Sequence, residues 1–129
     1  MIVLDTSILI EIERKNTHIL SKLEELRKQN ADSVAITAPT YSEYLRGFIK
    51  KKPTQKENAI RDLAHYLLLN TTRSSCIRCA ELSGELEKAG TTITDMDIVI
   101  ASIVLEQNGT IITQDKHFKY IPNFKVILM

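Results

Sequence analysis

No second cysteine pair accompanies Cys76 and Cys79, and that shortage removes zinc from consideration. A structural zinc site needs four ligands at suitable spacing. The three histidines, His18, His65 and His117, are scattered and make no i, i+4 metal pair. Redox chemistry is served no better, because Cys76-Ile77-Arg78-Cys79 falls inside a helical pattern instead of opening a helix after a strand. Both thiols are therefore expected to be buried and inert, as free cysteines commonly are. Charge of one sign is missing too: 17 basic and 16 acidic residues leave +1, so no global basic field attracts nucleic acid. There is no long hydrophobic run. The chain opens on Met1-Ile2-Val3-Leu4, too short for a signal peptide or a membrane span, which points to a cytoplasmic protein. In that compartment the sequon Asn70-Thr71-Thr72 carries no meaning.

What is present suits a packed α/β protein. Apolar residues make up 43% of the 129 positions, with no tryptophan and mostly Ile, Leu and Val, as helices against a buried sheet require. That length suggests one domain, 1–129, able to bury roughly two-thirds of its unfolded surface. No repeat, low-complexity segment or linker interrupts it. Five short apolar runs read as strands: Ile2–Leu4, Val34–Ile36, Tyr66–Leu69, Thr110–Thr113 and Lys125–Leu128. Between them Ile8, Ile12, Ile19, Leu23 and Leu26 recur at helical spacing, with a break expected at Asn16-Thr17. Tyr41, Tyr44, Leu45 and Phe48 predict another helix, with Pro39 just before it and Gly47 near its end. Segment 54–65 reads as a polar amphipathic helix opened by Pro53-Thr54. A further stripe, Ile77, Ala80, Leu82 and Leu86, runs to a stop at Gly90. Ile98–Leu105 is apolar on nearly every side and predicts a central, buried helix. Strands alternating with helices imply a parallel, doubly wound sheet.

Four acids then share one kind of address. Asp5 follows the first strand, and Asp115 follows the fourth. Glu43 is expected in the first turn of the helix after the second strand, and Asp97 at the opening of the all-apolar helix. In open α/β sheets those positions lie along one edge, where ligands bind. Each acid also has a purely structural explanation. Asp5 could cap a helix, Thr40-x-x-Glu43 and Thr94-x-x-Asp97 resemble capping boxes, and Asp115 could form an Asx-turn. Capping, however, is satisfied by Ser or Thr, which stand nearby at Thr6, Ser7, Thr40 and Thr94. Two unit charges about 5 Å apart repel by roughly 3 kcal/mol at an effective dielectric near 20. Four carboxylates around one crevice would shift their pKa values or demand a cation. Oxygen ligands without His or Cys select magnesium or manganese.

Four segments carry a family resemblance: Ile2-Val3-Leu4-Asp5-Thr6-Ser7, Tyr41-Ser42-Glu43-Tyr44-Leu45-Arg46-Gly47, Asp97-Ile98-Val99-Ile100-Ala101, and Thr113-Gln114-Asp115-Lys116-His117-Phe118. In this order and over nearly the whole chain, they resemble the PIN-domain family, specifically the toxin nucleases of VapBC-type toxin–antitoxin pairs. The resemblance implies a three-layer α/β fold with a five-stranded parallel sheet in the order 3-2-1-4-5. It implies magnesium-dependent endoribonuclease activity on RNA, with manganese as the alternative ion, a homodimer, and an antitoxin that inserts a segment into the active-site groove. Asp5 and Asp97 match the family's principal metal ligands. Glu43 and Asp115 match its other two acids, which act through water or hold a second ion. Thr6, Ser7 and Thr113 match supporting hydroxyl positions, and Asp95 is an additional acid at the rim. Read directly from the residues, Arg46, Lys50, Lys51 and Lys52 are candidates for the RNA backbone or, equally, ordinary surface cations.

Two other classes compete. A phosphoacceptor domain of the receiver type needs an Asp closing the third strand, where Leu69-Asn70-Thr71 stands, and a paired acid where Asp5-Thr6-Ser7 stands. A non-catalytic protein- or RNA-binding module would use the acidic groove only for docking.

Overall fold

The computed structural model describes residues 1–30 and 33–129. Five strands form one parallel sheet: β1 (Ile2–Leu4), β2 (Val34–Thr37), β3 (Leu67–Leu69), β4 (Thr110–Thr113) and β5 (Lys125–Leu128). Their order is β3-β2-β1-β4-β5, as the resemblance implied. Pairing runs Ile2 to Val34 and Thr110, Ala35 to Leu67, and Ile111 to Val126. Six α-helices connect the strands: α1 (Thr6–Glu13), α2 (Thr17–Gln29), α3 (Ala38–Lys51), α4 (Lys56–Leu63), α5 (Arg73–Lys88) and α6 (Asp95–Glu106).

Strand side chains alternate between two cores, which makes the molecule three-layered. Val3, Ala35 and Ile111 face α5 and α6 with Leu82, Leu86, Ile100 and Ile103. Ile2, Leu4, Ile36 and Ile112 face the opposite way, onto Ile8, Ile19, Tyr44 and Leu63. Ile111 and Ile112 are both fully buried. Consecutive isoleucines can do this only in a strand covered on both faces, each contributing about 1.5–3 kcal/mol. Helix α6 buries Ile98, Ile100, Ala101, Ser102, Ile103 and Val104, in line with its near-continuous apolar sequence. Beyond it, Gly109 lets the chain turn tightly into β4. A Cβ there would stand 3.1 Å from Val104 Cγ1 and 3.4 Å from the Met1 carbonyl oxygen.

Several local boundaries differ from the sequence reading. The break at Asn16-Thr17 is real, with Asn16 accepting the Ile19 amide as N-cap and Lys15 left-handed at φ 57°. Gly90 also stops α5 as expected, at φ 68°. Helix α3, however, starts earlier. Its N-cap is Thr37, whose hydroxyl accepts the Thr40 amide, and Pro39 lies inside the first turn, where a missing N–H costs nothing. Thr40 is thus a buried helical residue and no capping box, Gly47 is interior, and Glu43 belongs to the second turn. Asp95, not Asp97, opens α6. The 54–65 segment divides into a 3₁₀ turn at Pro53–Gln55 and α4. In α5 the inward stripe is Ser75, Cys79, Leu82 and Leu86, while Ile77 is 56% exposed. The expectation of buried thiols fails for Cys76, which is exposed, and Cys79 is half-buried.

Candidate active site at the carboxyl edge of the sheet

All strands run parallel, so Asp5 after β1 and Asp115 after β4 leave the sheet at the same edge. Asp5 occupies the N-cap position of α1 with an extended backbone, yet its carboxylate makes no capping hydrogen bond. It accepts instead from the Thr113 hydroxyl at 2.6 Å and from Ser7 Oγ at 3.4 Å. The same two hydroxyls accept backbone amides in turn, Thr113 Oγ1 from Asp115 at 3.0 Å and Ser7 Oγ from Gln114 at 3.0 Å. Two small hydroxyls therefore tie the corner after β1 to the corner after β4 and aim Asp5 away from its own helix. The capping explanation for this acid is excluded, and the supporting places of Ser7 and Thr113 are explained.

Asp97 stands in the first turn of α6, its amide donating to Thr94 Oγ1 at 3.2 Å. Thr94 supplies half of the capping pattern read from the sequence. Glu43 reaches the group from the second turn of α3. Asp115 does form the Asx-turn, accepting from the His117 amide at 2.9 Å as cap of a 3₁₀ turn over Lys116–Tyr120. That role and a role at the site coexist, because Asp115 also acts on Asp5 and Asp97.

The acids feel one another. Burial pushes the Asp5 carboxyl above its ordinary range, the charges of Asp97 and Asp115 push the same way, and the Thr113 hydroxyl and Thr6 amide pull against them. Glu43 is raised by burial first, then by Asp5 and Asp97, with the Thr6 hydroxyl and the Arg46 guanidinium opposing. Asp97 is raised by burial and by Asp115, with Thr94 and His117 opposing. Four carboxylates from four corners thus share one field. Asp95 is exposed at the start of α6 and enters none of these couplings.

The donor set is oxygen-only, which suits a hard divalent ion. Thr6 Oγ1 is buried beside these acids and faces Glu43, without reaching full hydrogen-bond geometry to any described residue. Among those residues no three His, Cys, Asp or Glu side chains stand so as to hold an ion by themselves. Magnesium asks for no such cage: it keeps several waters and takes one or two carboxylates plus phosphate oxygens. A half-open, oxygen-only acidic cluster fits it better than it fits zinc.

The basic candidates separate. Arg46 lies one turn from Glu43 and acts on it. Lys50 and Lys51 stand in the last turn of α3, about 10 Å farther along the helix axis from Glu43 and away from the edge. Lys52 is engaged elsewhere, paired with Glu13 at 3.0 Å and 5.8 Å from the Phe48 ring centre. The lysine run therefore does not line the acidic edge. One residue the sequence reading passed over is His117, whose Nδ1 lies 2.7 Å from Asp115 Oδ1. Its position two residues after Asp115, inside a turn, was the available signal.

The chain matches the family model described as PIN domain over residues 2–123. It is 31% identical over 124 residues to Ribonuclease VapC2 of Rickettsia felis, covering 93% of this chain and 91% of that protein. Its fold superposes on the crystal structure of VapBC2 from Rickettsia felis bound to a promoter DNA fragment. There the TM-score is 0.86 with 29% identity, covering 100% of this chain and 99% of that one. DNA-bound VapBC from Salmonella typhimurium gives a TM-score of 0.83 at 21% identity, covering 98% and 96% of the two chains, and at that distance shows the shared fold.

Proposed function

This chain belongs to the PIN-domain family, and from that premise we propose that it is a magnesium-dependent endoribonuclease that hydrolyses RNA phosphodiester bonds. The observation that carries the reading is Asp5: a buried carboxylate that makes no cap bond to its helix, is held by the Thr113 hydroxyl, and is raised by burial first and then by Asp97 and Asp115. An arrangement that destabilises its own charges is what a cation site requires.

Asp5 and Asp97 are the ligands in this reading, with Mg2+ as the ion and Mn2+ as its substitute. When bound, the ion supplies stabilisation of charge developing on the phosphate and a more acidic water. Glu43, raised by burial and by Asp5, is suited to orient a water and take its proton. Asp115, held by its turn and by His117, is the second helper. The α6 N-terminus favours negative charge at Asp97, and Arg46 offers a cation to the RNA backbone.

The similarity to Ribonuclease VapC2 and to VapBC structures supports a toxin partnered by a cognate antitoxin. From the family resemblance alone we add a homodimer in the cytoplasm. Among the described residues no helix is long and apolar enough to cross a membrane. The test is cleavage of single-stranded RNA by the purified protein with and without Mg2+. Cleavage should require the ion and vanish in Asp5→Asn. Magnesium-dependent cutting retained by pure Asp5→Asn protein would overturn the assignment.

A further inference from the structure

A cavity of about 390 Å³ opens beside the carboxylates, toward the edge strand β3. Pro39, Ser42, Glu43 and Arg46 of α3 form one wall, Asn70 after β3 another, and Met96 of α6 the third. Glu43 belongs to both the cavity lining and the acidic cluster, so the two adjoin at this residue. Met96 stands between Asp95 and Asp97 and is 53% exposed, which core packing does not explain. The exposed Asn70 side chain folds back on the next residue: its Oδ1 accepts the Thr71 amide at 2.8 Å. Its Nδ2 has no partner among the described residues, leaving an oriented donor at the mouth.

Size, charge and chemistry narrow the occupant. The volume lies at the small end of ligand cavities, which run from about 300 to 1,000 Å³, the scale of one nucleoside. Glu43 disfavours an anionic group beside it, while Arg46, one helical turn on in the same lining, favours a phosphate. A neutral planar group on an anionic backbone meets both conditions. Single-stranded RNA is read in this way, with unstacked bases placed against side chains and hydrogen-bonded along their edges. Methionine adapts to such flat surfaces.

We infer that this cavity is a nucleobase subsite, receiving the base next to the scissile phosphate between Met96 and Pro39, with Asn70 Nδ2 donating to an acceptor on its edge. The inference rests on the ribonuclease reading of the neighbouring acids. It makes Asn70 and Met96 specificity residues and leaves the hydrolytic groups as described.

The test uses the full chain with Mg2+ on a pool of randomised short single-stranded RNAs, with the cut ends sequenced. The parent should show a base preference at one position beside the cut. Asn70→Ala should lower kcat/KM for the preferred base by about tenfold, the effect of one lost hydrogen bond, and leave the other bases within threefold. Met96→Ala should flatten the same position, and Met96→Leu should restore it. A parent without preference there, variants with an unchanged profile, or equal loss on all four bases would each overturn the subsite while the ribonuclease reading stands. Variants that lose only antitoxin binding would assign the cavity to the protein partner and equally overturn it. A parent that cuts no RNA at all overturns both.

Discussion

Replacing Asp5 by Asn should make the metal-free protein more stable and at the same time inactive. Asp5 is 9% exposed and raised by burial first, then by Asp97 and Asp115. Two unit charges about 6 Å apart at an effective dielectric near 20 repel by about 3 kcal/mol, the upper bound for each neighbour. Asp97 and Asp115 are only partly buried, so solvent screening leaves a fraction of that figure. The Asn carbonyl can keep the 2.6 Å bond from Thr113, and its new N–H donors lie among carboxylates able to accept them. The expected gain is about 1–2 kcal/mol, or roughly 3–8 °C in Tm for a domain of this size. Magnesium should reverse the order. At ten times its Kd it adds about 1.4 kcal/mol to the parent and little to the variant. The sign with pH is fixed too. A carboxyl raised in the folded state gives stability that is full below its unfolded value and lost as pH rises through the folded value. The metal-free parent should therefore gain stability from neutral pH toward pH 4, and Asp5→Asn should gain less. Differential scanning fluorimetry in EDTA and in MgCl2, across that pH range, reads all of this. A lower metal-free Tm for Asp5→Asn, or an equal magnesium shift in both proteins, would refute the reasoning.

Thr113→Val keeps the shape of a fully buried residue but removes the hydroxyl that orients Asp5, so kcat/KM should fall at least tenfold with a stability loss of about 1–3 kcal/mol. Both are read by kinetics and by denaturant melts, and a fully active variant would show that Asp5 needs no orienting. Arg46→Ala should weaken RNA binding and flatten its salt dependence, whereas Lys51→Ala, at the far end of α3, should do neither. Tyr44 is held by burial and by Glu13 and Asp62 at a pKa of about 12. Its ultraviolet ionisation step should fall there, and the stability it lends should fade as pH rises from about 10 through that value; a normal step near pH 10 would contradict its packing.

Much of this was legible from residues alone. Ile2–Leu4, Thr110–Thr113 and Lys125–Leu128 end where their apolar runs end, and Asp5 follows the first end directly while Asp115 follows the second after Gln114. The α3 start was misplaced because Thr37 and Thr40 both head a plausible cap, and only tertiary placement of Pro39 decides between them. The α5 stripe was misread for a different reason. Ser75 is polar yet buried, since its side chain serves the reciprocal cap with Thr72, while Ile77 is apolar yet outward. Sequence periodicity weighs polarity and has no access to hydrogen bonding. The lysine run failed on distance: Glu43 and Lys50 share a helix, but seven residues of rise separate them. Neither the aim of Asp5 nor the cavity at Met96 could be read, since each depends on segments remote in the chain.

The bond from Thr113 to Asp5 joins residues 108 apart. Chains are made from the N-terminus, so Asp5 leaves the ribosome long before its partner exists. Until β4 slides in beside β1, the first carboxylate has neither its Thr113 anchor nor its companion Asp115. Before β4 is in place the four-acid cluster is therefore incomplete, and its assembly is a single late step of folding.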